Sequence, residues 1–152
     1  GGAGTARRLI ICDTGPLVSA VNRGEGRRHR FAAELLARSA HDVVIPWPVF
    51  AEVDLLLRSR GHALAAITFG RALLDGVHRL ETPTDTELRL ALDLAARYVD
   101  TGVDLPDLTV MAMASMRDAW ILTWDYRDFR TVVLDKGHHW DLLVQESELP
   151  QP

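Results

Sequence analysis

The sequence predicts an α/β domain with a mostly parallel central sheet flanked by helices on both faces. Two observations carry this. Short apolar runs of β character alternate with longer segments of helical spacing, which is the pattern of repeated βα units. No internal repeat, low-complexity stretch or linker interrupts the 152 residues, a length that suits one domain with its own core.

The opening GGAGTARR has no periodicity. Residues 1–8 therefore read as a disordered leader or an expression remnant, 9–146 as the domain and 147–152 as a C-terminal tail. The first strand is 9–12, LIIC, which stops at Asp13 ahead of Gly15 and Pro16. FAAELLAR (31–38) follows with Phe31, Leu35 and Leu36 at helical spacing. A second strand, 43–45, leads into the helix of VFAEVDLLLRSRG, which Gly61 ends, and a further helix runs to Gly76. After a strand at 78–80, TDTELRLALDLAARYV opens with Thr84 and Glu87 in capping-box spacing. DLPDLTVMAMASMRDA carries Pro106 near its first turn. A fourth strand covers 120–124, and 130–145 is expected to add one more.

Composition excludes several classes. At 47% hydrophobic and 25% charged the chain is an ordinary globular one. No apolar run is long enough to cross a membrane, and the N-terminus is not a signal peptide. The single cysteine, Cys12, lies in a strand, so disulfides play no part and a reducing cytoplasm is expected. A net charge of −4 argues against a generally basic nucleic-acid binder but leaves room for a local patch. Of 17 basic residues only Lys136 is a lysine. Arginine suits phosphate forks, yet beside so many alanines it reads first as the mark of a GC-rich genome.

Parallel sheets bind ligands beyond the carboxyl ends of their strands. Asp13 and Asp125 each follow a strand at that kind of end. Each acid also has a plain alternative. Asp13 before Gly-Pro can cap a helix starting near Pro16. Glu52 lies roughly 60° from Val49 around its helix, on the edge of the buried face, where a carboxylate needs an ion pair or a task. Asp54 on the far side looks like half of a solvated pair with Arg58. Asp107 and Asp104 can serve as a capping pair at a helix start, although Asp107 shares its face with Val110, Met111 and Ala114. Asp125 and Asp128 can make a turn followed by a cap.

Taken together these acids raise a physical problem. Two carboxylates about 5 Å apart repel by roughly 3 kcal/mol at an effective dielectric near 20. A cluster of four needs protons, arginines or a divalent cation, and an all-oxygen set suits Mg2+ or Mn2+ rather than zinc. Such an ion supports phosphodiester hydrolysis by activating water and stabilising the leaving side.

From residue 9 to about 144 the chain resembles the PIN-domain ribonucleases, most closely the VapC toxins of bacterial toxin–antitoxin pairs. LIICDTGPLVSAVNRGEG is similar to the family's opening strand, with its acid at Asp13 and hydroxyl neighbour at Thr14. VVIPWPVFAEVDLLL resembles the second strand and helix with the acid at Glu52, and LPDLTVMAMA the helix with the third acid at Asp107. ILTWDYRDF is similar to the closing motif, with the fourth acid at Asp125. Gly15-Pro16 and Met113 depart from the usual pattern. The resemblance implies a single PIN-like domain acting as a metal-dependent endoribonuclease, the toxin of a type II pair, on structured RNA such as tRNA or rRNA. It implies a homodimer restrained by a cognate antitoxin protein. Asp13, Glu52, Asp107 and Asp125 are then the catalytic and Mg2+ (or Mn2+) ligating residues, with Thr14, Asp104, Thr123 and Asp128 behind them. No histidine general base is evident.

Two other readings compete: a non-catalytic PIN-like scaffold that only binds a partner, and another Mg-dependent acid-pocket phosphoesterase. A scaffold has no need of four costly carboxylates. A haloacid-dehalogenase-like phosphatase needs a second aspartate where Gly15 stands, and a dinucleotide enzyme needs more than one glycine after the first strand. The cluster Arg23, Arg27, Arg28, His29 and Arg30 is either a grip for RNA or an antitoxin carboxylate, or a solvated helix entry. His138 and His139 beside Trp140 read as a surface loop, since no cysteine or further histidine completes a zinc set. Met111, Met113 and Met116 read as helix packing.

Overall fold

The computed structural model describes residues 7–76 and 78–152. Four strands, β1 (Ile10–Cys12), β2 (Val43–Pro46), β3 (Arg79–Glu81) and β4 (Trp120–Leu122), form one sheet in the order β3-β2-β1-β4. Every pairing is parallel. All residues of β1 and β2 are buried. Successive side chains of a strand face opposite sides, so both faces of the central strands are covered, as a parallel sheet requires.

Seven α-helices provide that cover among the described residues. They are α1 (Thr14–Val21), α2 (Arg27–Arg38), α3 (Trp47–Ser59), α4 (Ala63–Leu74), α5 (Asp85–Arg97), α6 (Leu105–Arg117) and α7 (Tyr126–Thr131). A 3-10 turn, Arg23–Glu25, joins α1 to α2. Helix α1 packs on α2 and α3, α3 on α4 and α6, and α5 on α6. Helix α6 lies on β1, β2 and β4, which explains its run of small and flexible apolar residues. Met111 and Met113 are wholly buried there, whereas Met116 is 47% exposed and does not serve packing.

Local signals set the helix ends. Thr84 and Glu87 close a reciprocal capping box at the start of α5. Glu87 also receives a two-pronged ion pair from Arg117 at the end of α6, at 2.8 and 2.9 Å, and the same guanidinium reaches Glu81 at 2.7 Å. Gly61 stops α3 with a φ of +81°, a conformation that glycine adopts without a side-chain clash.

The strand expected within 130–145 is reduced to a single parallel bridge between Ile121 and Leu142. Ile121 N–H donates to Asp141 O and Leu143 N–H to Ile121 O, each at 2.8 Å. The next ladder donor, Gln145 N–H, is taken at 2.9 Å by the Glu148 side chain, and the ladder ends. Arg8, the last residue of the expected leader, lies 4.3 Å over the Trp120 ring and bonds Asp141 at 2.8 Å. Residues 1–6 of that leader lie outside the described residues. Arg28 donates to Pro150 O at 3.0 Å, so the segment 147–152 is tied to α2. Among the described residues no helix is long and apolar enough to cross a membrane.

Candidate active site

The chain runs from β1 to β2 and β3 on one side and returns to β4 on the other, so β1 and β4 flank a topological switch point. Cys12 pairs with Leu122 in register, which sets the residues that follow, Asp13 and Thr123, side by side beyond the strand ends. Thr123 Oγ1 donates to Asp13 Oδ2 at 2.7 Å and accepts from Asp125 N–H at 2.9 Å. One hydroxyl thus joins the acid after β1 to the acid after β4. Asp13 occupies the N-cap position of α1 yet makes no side-chain capping bond. It is 2% exposed, and its Oδ1 is buried without a hydrogen-bond partner among the described residues. The capping alternative for Asp13 does not hold.

The other acids arrive on helices. Asp104 caps α6 by accepting from Asp107 N–H at 3.4 Å, and Asp107 itself is buried in the first turn. Asp125 caps α7 by accepting from Asp128 N–H at 3.3 Å. These two caps bring Asp107, Asp125 and Asp128 together, one carboxylate oxygen of each lying within 4.8 Å of the others. Glu52 projects from α3 half-buried, and the arginine partner considered for it is not found among the described residues. Asp54 does pair with Arg58, at 2.8 Å.

Asp13, Glu52, Asp107 and Asp125 line one cleft of about 420 Å³, together with Thr14, Asp104 and Asp128. Thr123 stands behind them, 1% exposed. Sequence reasoning ranked Asp128 behind Glu52, whereas the tightest trio contains Asp128 and neither Glu52 nor Asp13. Among the lining residues it missed are Glu25, Trp124 and Arg60. Trp124 lies over Gly15, where an added Cβ would come within 3.0 Å of the indole Cδ1. This close approach accounts for the glycine. Trp124 Nε1 donates to Ser19 Oγ at 2.9 Å, and Ser19 Oγ donates to Glu25 Oε1 at 2.7 Å, which holds Glu25 at the cleft wall. No strand end or helical face flags Glu25 in the sequence. The neighbouring basic residues are partly committed: Arg28 to the tail and His29 to Ser19 O at 2.9 Å. His138 accepts from Leu134 N–H and sits edge-on against Trp140, a local loop contact.

The electrostatics follow from this crowding. Burial pushes the Asp13 carboxyl up, the Thr123 hydroxyl pulls it back, and the charge of Asp125 adds to the rise. Asp107 is pushed up to about 12, by burial first and then by Asp13 and Asp125. Glu52 is raised by burial and by the charges of Asp104 and Asp13. Asp128 is raised by burial and by its neighbour Asp125. Without a cation Asp107 keeps its proton at neutral pH. The unpartnered Asp13 Oδ1 and the close oxygen trio fit a hard divalent ion, which takes oxygen ligands and replaces that proton.

A model of the PIN domain matches residues 10–133. No curated protein matches the sequence significantly. Among solved structures the chain is similar to VapC20 of Mycobacterium tuberculosis, a sarcin–ricin loop cleaving toxin, at 24% identity and a TM-score of 0.65 over 74% of this chain and 86% of that one. It is also similar to VapBC2 of Rickettsia felis bound to a DNA fragment from its promoter (17% identity, TM-score 0.61, covering 82% of this chain and 92% of that one). DNA-bound VapBC of Salmonella typhimurium is a third (15%, 0.58, covering 88% and 96%). At these identities the likeness is one of fold.

Proposed function

The chain belongs to the PIN-domain family, and from that premise we propose that it is a metal-dependent endoribonuclease, the toxin of a type II toxin–antitoxin pair. The observation that carries this reading is the convergence of acids from five separate segments on one cleft, around a buried and unpartnered Asp13 oxygen. The toxins and toxin–antitoxin complexes among its structural neighbours support it. The substrate is RNA, tRNA or rRNA, and the partners are a cognate antitoxin protein and a second copy of the chain in a cytoplasmic homodimer.

Asp107, Asp125 and Asp128, with Asp13, would hold Mg2+ or Mn2+. Such an ion, when bound, stabilises charge on a phosphodiester and lowers the pKa of the attacking water. Thr123 fixes the Asp13 carboxylate through Oδ2 and leaves Oδ1 as its free acceptor. Asp104 and Asp125, as helix caps, orient the first turns that carry Asp107 and Asp128. Among the described residues no histidine lines the cleft, so proton acceptance falls to a carboxylate. Glu52 suits that role: it is half-buried at the cleft, and burial with the charges of Asp104 and Asp13 raises its affinity for a proton.

The test is incubation of a mixed bacterial RNA pool with the protein in Mg2+ or Mn2+, beside EDTA and an Asp13→Asn control. Cuts lost in both controls support the nuclease and locate its target. Intact RNA throughout, from a folded protein, would favour a binding scaffold or another phosphoesterase.

A further inference from the structure

The carboxylates of the cleft share it with a single basic side chain among its described lining residues, Arg60. It occupies the C-cap of α3. Its backbone is fixed: His62 N–H donates to Leu57 O at 2.8 Å and Gly61 N–H to Arg58 O at 3.1 Å, the bonding of a Schellman turn around the left-handed Gly61. Its side chain is not. Arg60 is exposed, and among the described residues its guanidinium makes neither ion pair nor hydrogen bond, although Arg58 two residues earlier is held by Asp54.

A nucleic-acid strand entering this cleft meets carboxylates that repel its phosphates. A bound cation offsets that repulsion at the reacting phosphate only, because charge effects between exposed groups fade over about 10 Å. A neighbouring phosphate needs a partner of its own, and a planar guanidinium offers two parallel hydrogen bonds to phosphate oxygens. We infer that Arg60 is a substrate-positioning residue that clamps an RNA phosphate flanking the scissile one. The inference rests on the ribonuclease reading above and adds to it the residue that grips the strand at the cleft mouth.

The test compares wild type, Arg60→Ala and Arg60→Lys on the best-cleaved RNA from the pool, with KM and kcat measured across a KCl series. An added arm measures equilibrium binding of a labelled random-sequence RNA of about 20 nucleotides. The loss of one charged contact is expected to raise KM and the RNA dissociation constant about tenfold in Arg60→Ala, with kcat nearly unchanged. The slope of log KM against log salt should fall by about 0.7. Arg60→Lys should keep the slope and recover part of the affinity. A structural role at an exposed helix end would not move the salt slope. If wild type cleaves and Arg60→Ala shows unchanged KM and slope, or loses kcat alone, the inference is overturned while the nuclease reading stands. If wild type neither binds nor cleaves RNA, the nuclease reading fails first and takes this inference with it.

Discussion

Replacing Asp107 by asparagine should stabilise the metal-free protein while destroying the site. In the folded chain Asp107 is 6% exposed and its pKa is pushed up to about 12, by burial and by Asp13 and Asp125. An aspartate in the unfolded chain ionises near pH 3.9. Between these values the folded state holds a proton that the unfolded state has released. The unfolded state binds fewer protons, so stability falls as pH rises, by about 1.4 kcal/mol per unit for this group. By pH 7 the accumulated cost is ~4 kcal/mol at most, since the surroundings relax. Asparagine keeps the shape and a donor and never ionises, so Asp107→Asn should exceed wild type by ~2–4 kcal/mol in EDTA at pH 7. Its advantage should shrink by ~2–3 kcal/mol on going to pH 5. Urea unfolding at the two pH values measures both. Adding Mg2+ should reverse the order: wild type gains ~2.7 kcal/mol at a hundredfold excess over Kd, and the variant gains far less. An Asp107→Asn protein less stable than wild type in EDTA at pH 7, or an advantage that does not change with pH, would refute the account of the cluster.

Other expectations test separate parts of the structure. Thr123→Val removes the hydroxyl that joins Asp13 to Asp125 and should lower stability by about 2 kcal/mol and Mg2+ affinity at least tenfold; a calorimetric titration that matches wild type would remove Thr123 from the site. Gly15→Ala places a Cβ 3.0 Å from Trp124 Cδ1, displacing the indole and costing ~1–3 kcal/mol; an unchanged urea midpoint and tryptophan fluorescence would show that the wall yields freely. Arg117→Ala breaks the fork to Glu87 and should cost ~3 kcal/mol at pH 7. Burial raises the Glu87 pKa, but the Arg117 and Thr84 contacts outweigh it and the net shift is downward. The stabilisation is therefore present above the unfolded glutamate pKa of about 4.3 and is lost as pH falls below it, so the two proteins should converge in acid-unfolding profiles.

Most of the framework was legible in the sequence because its signals are local. The strand runs, the Thr84–Glu87 capping box and the Gly61 stop all depend on residues a few positions apart. The failures lie where distant groups decide. Gln145 N–H had to choose between the sheet and Glu148, and no periodicity in 130–145 announces that choice. Glu25 reaches the cleft only because Ser19 tethers it, within a stretch whose arginines dominate its appearance. Arg60 read as the tail of a helix; its place at the cleft depends on how α3 lies against the rest of the fold. Asp128 stood behind the four main acids in the sequence, and its closeness to Asp107 and Asp125 comes from the first turn of α7, which spacing alone does not show.

The sequence posed a choice for each acid, cap or site, and the structure dissolves that choice for two of them. Asp104 and Asp125 cap α6 and α7 with one oxygen and still line the cleft. The α/β architecture brings this about: α1 and α7 follow β1 and β4 and begin at their carboxyl ends, where ligands bind, while α6 runs toward the start of β4 and so begins at that same end. Three helix starts, those of α1, α6 and α7, therefore meet at the acid cluster. Each presents unpaired N–H groups and a partial positive charge worth about 0.3–1 kcal/mol to a nearby carboxylate. That total, about 1–3 kcal/mol, at most matches the repulsion of roughly 3 kcal/mol for a single pair about 5 Å apart, and the cluster holds several pairs. The helix ends therefore allow the acids to gather but leave the cluster short of positive charge, which a divalent cation would supply in place of protons.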